Sequence, residues 1–161
     1  MAMFVHLAPA DAAAGIRRTG IRVPKGHDGV YLTPRTSNYF ISHQWLRELK
    51  RGSRGRRLIA VDVRLPDDEP LVIGHYAHAH LPVTAAEAVG MMMSLDDPRG
   101  YEAILHRPVH RSEIHRIRSV SQVLGWRYWP TAHGVRPCAC PACLKPGEPG
   151  RRRLIAKYGD D

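Results

Sequence analysis

Short apolar runs alternate along the chain with polar segments rich in glycine and proline, a pattern that predicts several strands and few helices. The clearest strand is RRLIAVDVRLP, which is apolar on both faces like a central strand. Further strands are predicted at MFVHLAP, GVYLT, LVIGHYA and YEAILHRPV, and SEIHRIRSV is either a strand or a short passage from helix to strand. Because strands follow one another without a helix between each pair, the pattern indicates an α+β fold and not a regular βαβ repeat.

Three segments have the periodicity of helices. The first, ADAAAGIRRTGI, is expected to begin with Asp11 as a cap or first-turn acid and to end at Gly20. The second, SNYFISHQWLRELKR, reads as one amphipathic helix with Ser37 as its cap. The third, TAAEAVGMMMSL, has Thr84 and Glu87 at the spacing of a capping box.

Length and composition indicate one domain with a small appendage. We expect a core over residues 1–124 and a tail over residues 125–161, where aromatic, proline, glycine and cysteine residues concentrate. No apolar run approaches the ~18 residues of a membrane span, and MAMFVHLAPADAAAG lacks the basic start of a signal peptide. Three cysteines within six residues fit a reducing compartment, so a cytoplasmic location is expected.

The net charge of +9 is unevenly distributed. Eleven Lys or Arg residues fall between Arg17 and Arg57, against two acids, Asp28 and Glu48. Such a stretch favours nucleic acid, phosphorylated ligands or acidic protein surfaces as partners. A solvated basic surface without a partner is the simpler alternative.

Three polar residues stand within or beside predicted strands: His6, Tyr31 and Glu102. A sheet could bring them together. Taken singly, each has an ordinary explanation: a partly buried histidine, a core tyrosine and a surface acid at a strand edge. Their order and their flanking sequence are what single them out.

That order and context resemble the H-Y-E class of ADP-ribosyltransferases. The first motif matches HLAPADAAAGIRRTGI, the second GVYLT and the third EAILHRPVHRSEIHRI. The match covers roughly residues 4–120. The resemblance implies an ADP-ribosyltransferase-like core in which the β-sheet is split, and it implies NAD as the substrate.

The resemblance also implies a role for each residue. His6 would hold the ribose and adenosine end of NAD, and Tyr31 would stack on the nicotinamide. Glu102 would bond the ribose 2′-hydroxyl and stabilise an oxocarbenium-like transition state. Either Tyr39 or Phe40, in the next predicted helix, would supply a second stacking aromatic.

Two positions depart from the family pattern. Leu7 and Ala8 follow His6, where many members have a glycine or a hydroxyl residue. Gly100 stands two residues before Glu102, where arginine-directed members carry an acid, so transfer to arginine is not expected. Glu113 is a rival carboxylate, but it lies in a polar turn without a following apolar run.

The tail contains a C-x-C-x2-C motif formed by Cys138, Cys140 and Cys143. Closely spaced cysteines in a Pro- and Gly-rich turn are typical of structural zinc sites. His133 is the candidate fourth ligand, with His115 or another histidine as the alternative. Three free thiols are the other interpretation of the motif.

The segment HYAHAH places His78 and His80 two residues apart. On a strand this spacing would put both imidazoles on one face, as in a metal pair. A solvent-facing histidine patch is the preferred interpretation.

Together these features predict a mono-ADP-ribosyltransferase, of the kind used as a bacterial toxin, effector or defence enzyme. Nucleic acid is slightly favoured over protein as the acceptor, no membrane is expected, and an antitoxin partner is left open. The alternatives are a non-catalytic, basic zinc-knuckle module that binds DNA or RNA, and an NAD glycohydrolase that uses water. Phosphates of an acceptor would be held at the cleft rim by a basic stretch: Arg47, Lys50, Arg51, Arg54, Arg56 and Arg57.

Overall fold

A computed structural model describes residues 1–53 and 56–125, together with positions 152, 153 and 156. The strands are β1 (Ala2–Pro9), β2 (Val30–Pro34), β3 (Leu58–Leu65), β4 (Pro70–His75), β5 (Leu81–Thr84), β6 (Tyr101–Leu105) and β7 (Ile114–Ser119). The helices are α1 (Ala13–Thr19), α2 (Tyr39–Ser42), α3 (Leu46–Gly52) and α4 (Ala85–Ser94), with 3₁₀ turns at Ala10–Ala12 and Arg111–Glu113. The α+β class is confirmed. In the described ranges no helix has the length and apolar character needed to cross a membrane.

All seven strands belong to one antiparallel sheet in the order β5-β4-β6-β2-β1-β3-β7. The centre is its weakest joint, because β1 and β2 pair only through Phe4 with Pro34 and Val5 with Thr33. By contrast, β1 pairs with β3 along its whole length. The sheet therefore consists of two halves, β1-β3-β7 and β2-β6-β4-β5, joined over a short seam.

The two faces of the sheet carry separate apolar clusters. The larger cluster includes the fully buried Phe4 and Val61, and α1 and α4 pack on it through Ile16 and Ala88. The smaller cluster lies on the opposite face, where Val5 meets Leu46 of α3, with Leu58, Ala60 and Val120. Alternation along β1 sends neighbouring side chains to different clusters, so both faces are covered near the seam.

The segment predicted as one helix from Ser37 forms two short helices, α2 and α3. Asn38, not Ser37, is the cap, since its side chain accepts from the amides of Phe40 and Ile41. Between the helices lies the buried Gln44, whose Oε1 accepts from the Gly100 amide at 2.8 Å. The single-helix prediction was wrong because these long-range polar contacts replace continuation of the helix.

The other predicted helix boundaries have mixed outcomes. The capping box of Thr84 and Glu87 is confirmed at the start of α4. The end of α1 at Gly20 is also confirmed, with φ at 83° and its amide donating to the carbonyl of Ile16. Asp11 is a first-turn acid, in the 3₁₀ turn that leads into α1, and its side chain makes no capping hydrogen bond.

Candidate active site

The three residues singled out by sequence lie on three neighbouring strands. His6 is on β1, Tyr31 on β2 and Glu102 on β6, and these strands are adjacent in the order β6-β2-β1. The expectation that a sheet brings these segments together is therefore confirmed at the level of strands. β2 pairs with β1 on one side and with β6 on the other, and so brings together His6 and Glu102, which are 96 residues apart in the chain; no local pattern specifies this arrangement.

His6 lies at the seam, one residue beyond the last β1–β2 pair. Its Nδ1–H donates to the carbonyl oxygen of Tyr31 at 2.9 Å, so the imidazole links the strands where the backbone ladder has ended. Burial lowers the pKa of His6, and the bond to the Tyr31 carbonyl opposes this less strongly. The ring is therefore neutral at pH 7, with Nε2 left as the acceptor.

Tyr31 and Glu102 share one face of the sheet. Tyr31 is opposite Ile104 in the β2–β6 ladder, two residues from Glu102, so the two side chains are diagonal neighbours. Desolvation raises the pKa of the Tyr31 hydroxyl, and the charge of Glu102 adds to the effect. The Tyr31 side chain is 38% exposed, which rules out the simple core explanation.

Glu102 is enclosed by an arrangement that depends on a glycine. Its partner across the β4–β6 ladder is Gly74, and a Cβ on Gly74 would lie 3.0 Å from the Cα of His80. His80 therefore approaches Glu102, with Nε2 at 3.4 Å from Oε1 but outside hydrogen-bond geometry. Burial raises the pKa of Glu102 to about 7. This carboxyl can gain or lose a proton near neutral pH.

Glu113, the rival carboxylate, is in a different electrostatic state. Arg107 donates to both of its oxygens, at 2.7 and 2.9 Å, and the amide of His110 donates as well. Burial alone would raise the pKa of Glu113, but the Arg107 bonds and the other donors outweigh it and hold the pKa below its usual value. A carboxylate tied up in this way is suited to a structural role.

His80→Ala is expected to lower the pKa of Glu102 from about 7 toward its ordinary 4.5, because water would reach the carboxyl. An NMR titration of the Glu102 carboxyl measures this directly. The control is His78→Ala, since His78 is exposed and contacts His75 instead. An unchanged or higher midpoint in His80→Ala would show that His80 does not desolvate Glu102.

The glycine two residues before Glu102 is required by packing. Gly100 has φ at 80°, and a Cβ there would lie 2.4 Å from Nε2 of His75. Its amide is also held by Gln44. An acidic side chain at this position would strain the backbone and meet the ring of His75, so the structure favours glycine here.

Tyr39 is placed with residues other than Tyr31. Its half-exposed ring packs on His43 with centroids 4.1 Å apart, and the guanidinium of Arg118 lies 5.7 Å from its centroid. Phe40 is partly buried on the same short helix. Stacking of Tyr39 or Phe40 on nicotinamide stays a prediction, and the ring contacts of Tyr39 belong to a different part of the sheet.

The predicted rim of phosphate-binding cations is wrong for two members. Arg47 is 6% exposed and Lys50 is fully buried in α3. Lys50 donates from Nζ to the carbonyl oxygen of Gln122 at 3.1 Å, which ties α3 to the segment after β7.

Several predicted residues lie outside the described part of the chain. They are Cys138, Cys140, Cys143 and His133 of the zinc prediction, Arg54, and the side chain of Arg51. Most of the predicted tail, residues 126–151, lies outside it too. Within the residues that the structure does describe, no three His, Cys, Asp or Glu side chains are grouped as metal ligands.

Sequence reasoning missed a buried polar constellation centred on Asp62. Arg118 donates from Nε and Nη2 to both oxygens of Asp62, at 2.8 to 3.2 Å. Nη2 of Arg118 also donates to Nε2 of His43 at 2.7 Å, and Nδ1 of His43 donates to the Tyr39 carbonyl. One signal was present in the sequence: Asp62 is the lone acid in the apolar strand LIAVDV.

Two cavities occur in the described residues at positions other than the His6, Tyr31 and Glu102 group. One, of about 710 Å³, lies between Leu7, Leu58 and α3. The other, of about 580 Å³, lies over Asp62 and Arg118.

Comparison of the chain with known protein families, with curated proteins and with solved structures finds no match. The functional interpretation accordingly rests on the residues and their geometry.

Proposed function

We propose that the protein is an NAD-dependent mono-ADP-ribosyltransferase with Glu102 as its catalytic carboxylate. The observation that carries the proposal is the pKa of about 7 at Glu102, beside the exposed Tyr31 on one face of the sheet. The neutral His6, bonded to the Tyr31 carbonyl, supports it. The short seam between the half-sheets supports the finer assignment of an ADP-ribosyltransferase-like split sheet.

The proposed reaction breaks the bond between the nicotinamide nitrogen and C1′ of its ribose. Nicotinamide leaves with the bonding electron pair, and positive charge develops on the ribose. Ionised Glu102 opposes that charge and accepts a hydrogen bond from the 2′-hydroxyl. A lone pair of the acceptor then forms the new bond to C1′, and the proton of the acceptor passes to solvent.

His6 and Tyr31 hold the substrate in this scheme. Nε2 of His6 is the ring atom left to accept from a ribose hydroxyl, because Nδ1 carries the proton; alternation along β1 puts this ring on the face opposite Tyr31, so the ribose would meet it across the seam. Tyr31 presents an exposed ring on which the nicotinamide can stack. Both residues orient the bound NAD, and Glu102 alone stabilises the positive charge that develops on the ribose.

The proposal is tested with two preparations of NAD, one labelled in nicotinamide and one in adenine, incubated with the protein and cell extract. Released nicotinamide together with adenine label in nuclease-sensitive material is the expected result. Adenine label in protease-sensitive material would identify a protein acceptor. Release without any macromolecular label would indicate a glycohydrolase, and no release would favour a non-catalytic binding module.

Tyr31→Ala is expected to weaken NAD binding about 2- to 12-fold, because an aromatic pair contributes roughly 0.5–1.5 kcal/mol beyond burial. Tyr31→Phe keeps the ring and is expected to bind nearly as the native protein does. Calorimetric titration with NAD measures both. Normal NAD affinity combined with early thermal unfolding of Tyr31→Ala would mean that the ring serves packing alone.

A further inference from the structure

We propose that the basic cavity over Asp62 binds the phosphate groups of a single-stranded polynucleotide. The cavity has a volume of about 580 Å³ and lies between α2 and the β3–β7 end of the sheet. Its charged lining residues are Arg35, Arg116, Arg118 and Asp62. Three guanidinium groups face one carboxylate, so the lining has an excess of positive charge.

Asp62 and Arg118 form the rigid floor of this cavity. Asp62 is 1% exposed, and Arg118 grips it through Nε and Nη2. His43 takes a further bond from Arg118 on its Nε2, and burial lowers the pKa of His43, which keeps it neutral. Arg118 is the arginine that hydrogen-bonds the carboxylate, and the other two arginines leave an excess of positive charge for a ligand, because one carboxylate faces three guanidinium groups.

Arg35 and Arg116 are those two arginines. Arg35 approaches Asp62 only to 3.6 Å, and its side chain is about half exposed, at 48%. Arg116 is opposite Asp62 in the β3–β7 ladder and is exposed, without an ion pair in the ranges that the structure describes. Two guanidinium groups beside a fixed third are suited to a phosphate, which accepts bidentate bonds from arginine.

Tyr39 favours a polynucleotide over a phosphorylated peptide. Its ring is 50% exposed and lines the same cavity, next to Arg118. Proteins that bind single strands combine basic grooves with exposed aromatic rings on which bases stack. A net charge of +9 on the chain adds a general attraction for such a polyanion.

The cavity also faces the same way as the candidate active site. Thr33 is opposite Val5, Val5 is opposite Asp62, and Glu102 is one residue beyond the Leu32–Ala103 pair that ends the β2–β6 ladder, next to Thr33. Glu102 and Asp62 thus lie in one cross-strand row, three strands apart, or about 14 Å at ~4.8 Å per strand. Because Val5 between them is buried against Leu46 of α3, a strand anchored here would reach Glu102 by passing around α3; this link alone rests on the proposed function.

The test measures binding of a fluorescent single-stranded oligothymidylate by anisotropy, without NAD, over a range of salt concentrations. The variant Arg35→Gln/Arg116→Gln is expected to reduce the log–log salt slope by about 1.4, or ~0.7 per phosphate released. At ~0.1 M salt this corresponds to roughly 25-fold weaker binding. Because both side chains are exposed, the melting temperature of the variant should equal that of the native protein.

The matched control is Arg17→Gln/Arg18→Gln, which removes the same charge from α1 on the opposite face of the sheet. An equal loss of affinity in both double variants would show that the attraction is diffuse, and would overturn the site. Unchanged affinity in Arg35→Gln/Arg116→Gln would also overturn it. Tighter binding of a phosphoserine peptide than of the oligonucleotide would overturn the polynucleotide assignment. Because NAD is absent, failure of NAD cleavage leaves this result unaffected.

Discussion

Glu102→Gln is expected to slow NAD cleavage by about 10²–10³, the usual cost of removing one preorganised electrostatic contact at a developing charge. The amide keeps the shape of the side chain but cannot oppose the ribose cation. In the native protein the rate should rise with pH through about 7, as Glu102 ionises. Nicotinamide release measured across pH checks both statements, since the variant should lose that midpoint.

The same substitution should stabilise the folded protein at alkaline pH. Because the pKa of Glu102 is raised to about 7 from an ordinary 4.5, the folded state binds more protons between these values, and stability is lost as pH rises through 7. Gln stays neutral at every pH. The free energy of unfolding of the variant at pH 8 should therefore exceed that of the native protein by on the order of 2–3 kcal/mol. Denaturant unfolding at pH 5 and pH 8 measures the difference.

The comparison variant for these measurements is Glu113→Gln. It should lower stability, because it weakens the bonds that Arg107 and the His110 amide make to Glu113. Near-native turnover in Glu102→Gln, with turnover lost in Glu113→Gln, would remove Glu102 from the site and assign the reaction to Glu113.

Asp62→Ala is expected to lower the free energy of unfolding by about 3 kcal/mol, since removal of one partner leaves a buried charge uncompensated. Arg118 would keep its guanidinium, with a side chain 15% exposed, against His43 and Arg35. Denaturant unfolding at pH 7 measures the loss.

Asp96→Ala is the control for this change. Asp96 is exposed and makes no ion pair in the described residues, so its removal should alter stability by no more than about 0.5 kcal/mol. A similarly small effect of Asp62→Ala would mean that water or the polypeptide compensates Arg118, and that the floor of the cavity is not rigid.

Glu102 and Asp62 show how one chain places two buried acids in different surroundings. Asp62 accepts hydrogen bonds on both oxygens from the guanidinium of Arg118. Glu102 has burial without a bonded cation, which disfavours ionisation and moves its pKa to about 7. The first arrangement stabilises a structure, and the second makes a proton available near neutral pH.

Much of the local structure was determined by the sequence itself. Apolar periodicity identified all strands but β5, and the Thr84 and Glu87 spacing identified the start of α4. These features depend on neighbours within a few residues, whose side-chain directions follow from the period of a strand or helix. The segments carrying His6, Tyr31 and Glu102 were recognisable as strands for the same reason, whereas the choice of these three residues came from their order and flanking sequence.

Which polar groups meet was decided only by the tertiary structure. Gln44 divides the predicted helix because Gly100 comes within reach, and His80 covers Glu102 because Gly74 leaves space. Asp62 and Arg118 are 56 residues apart, and their contact depends on the β3–β7 register. Periodicity states which face of an element is apolar, but burial and ion pairing depend on what another part of the chain places against it.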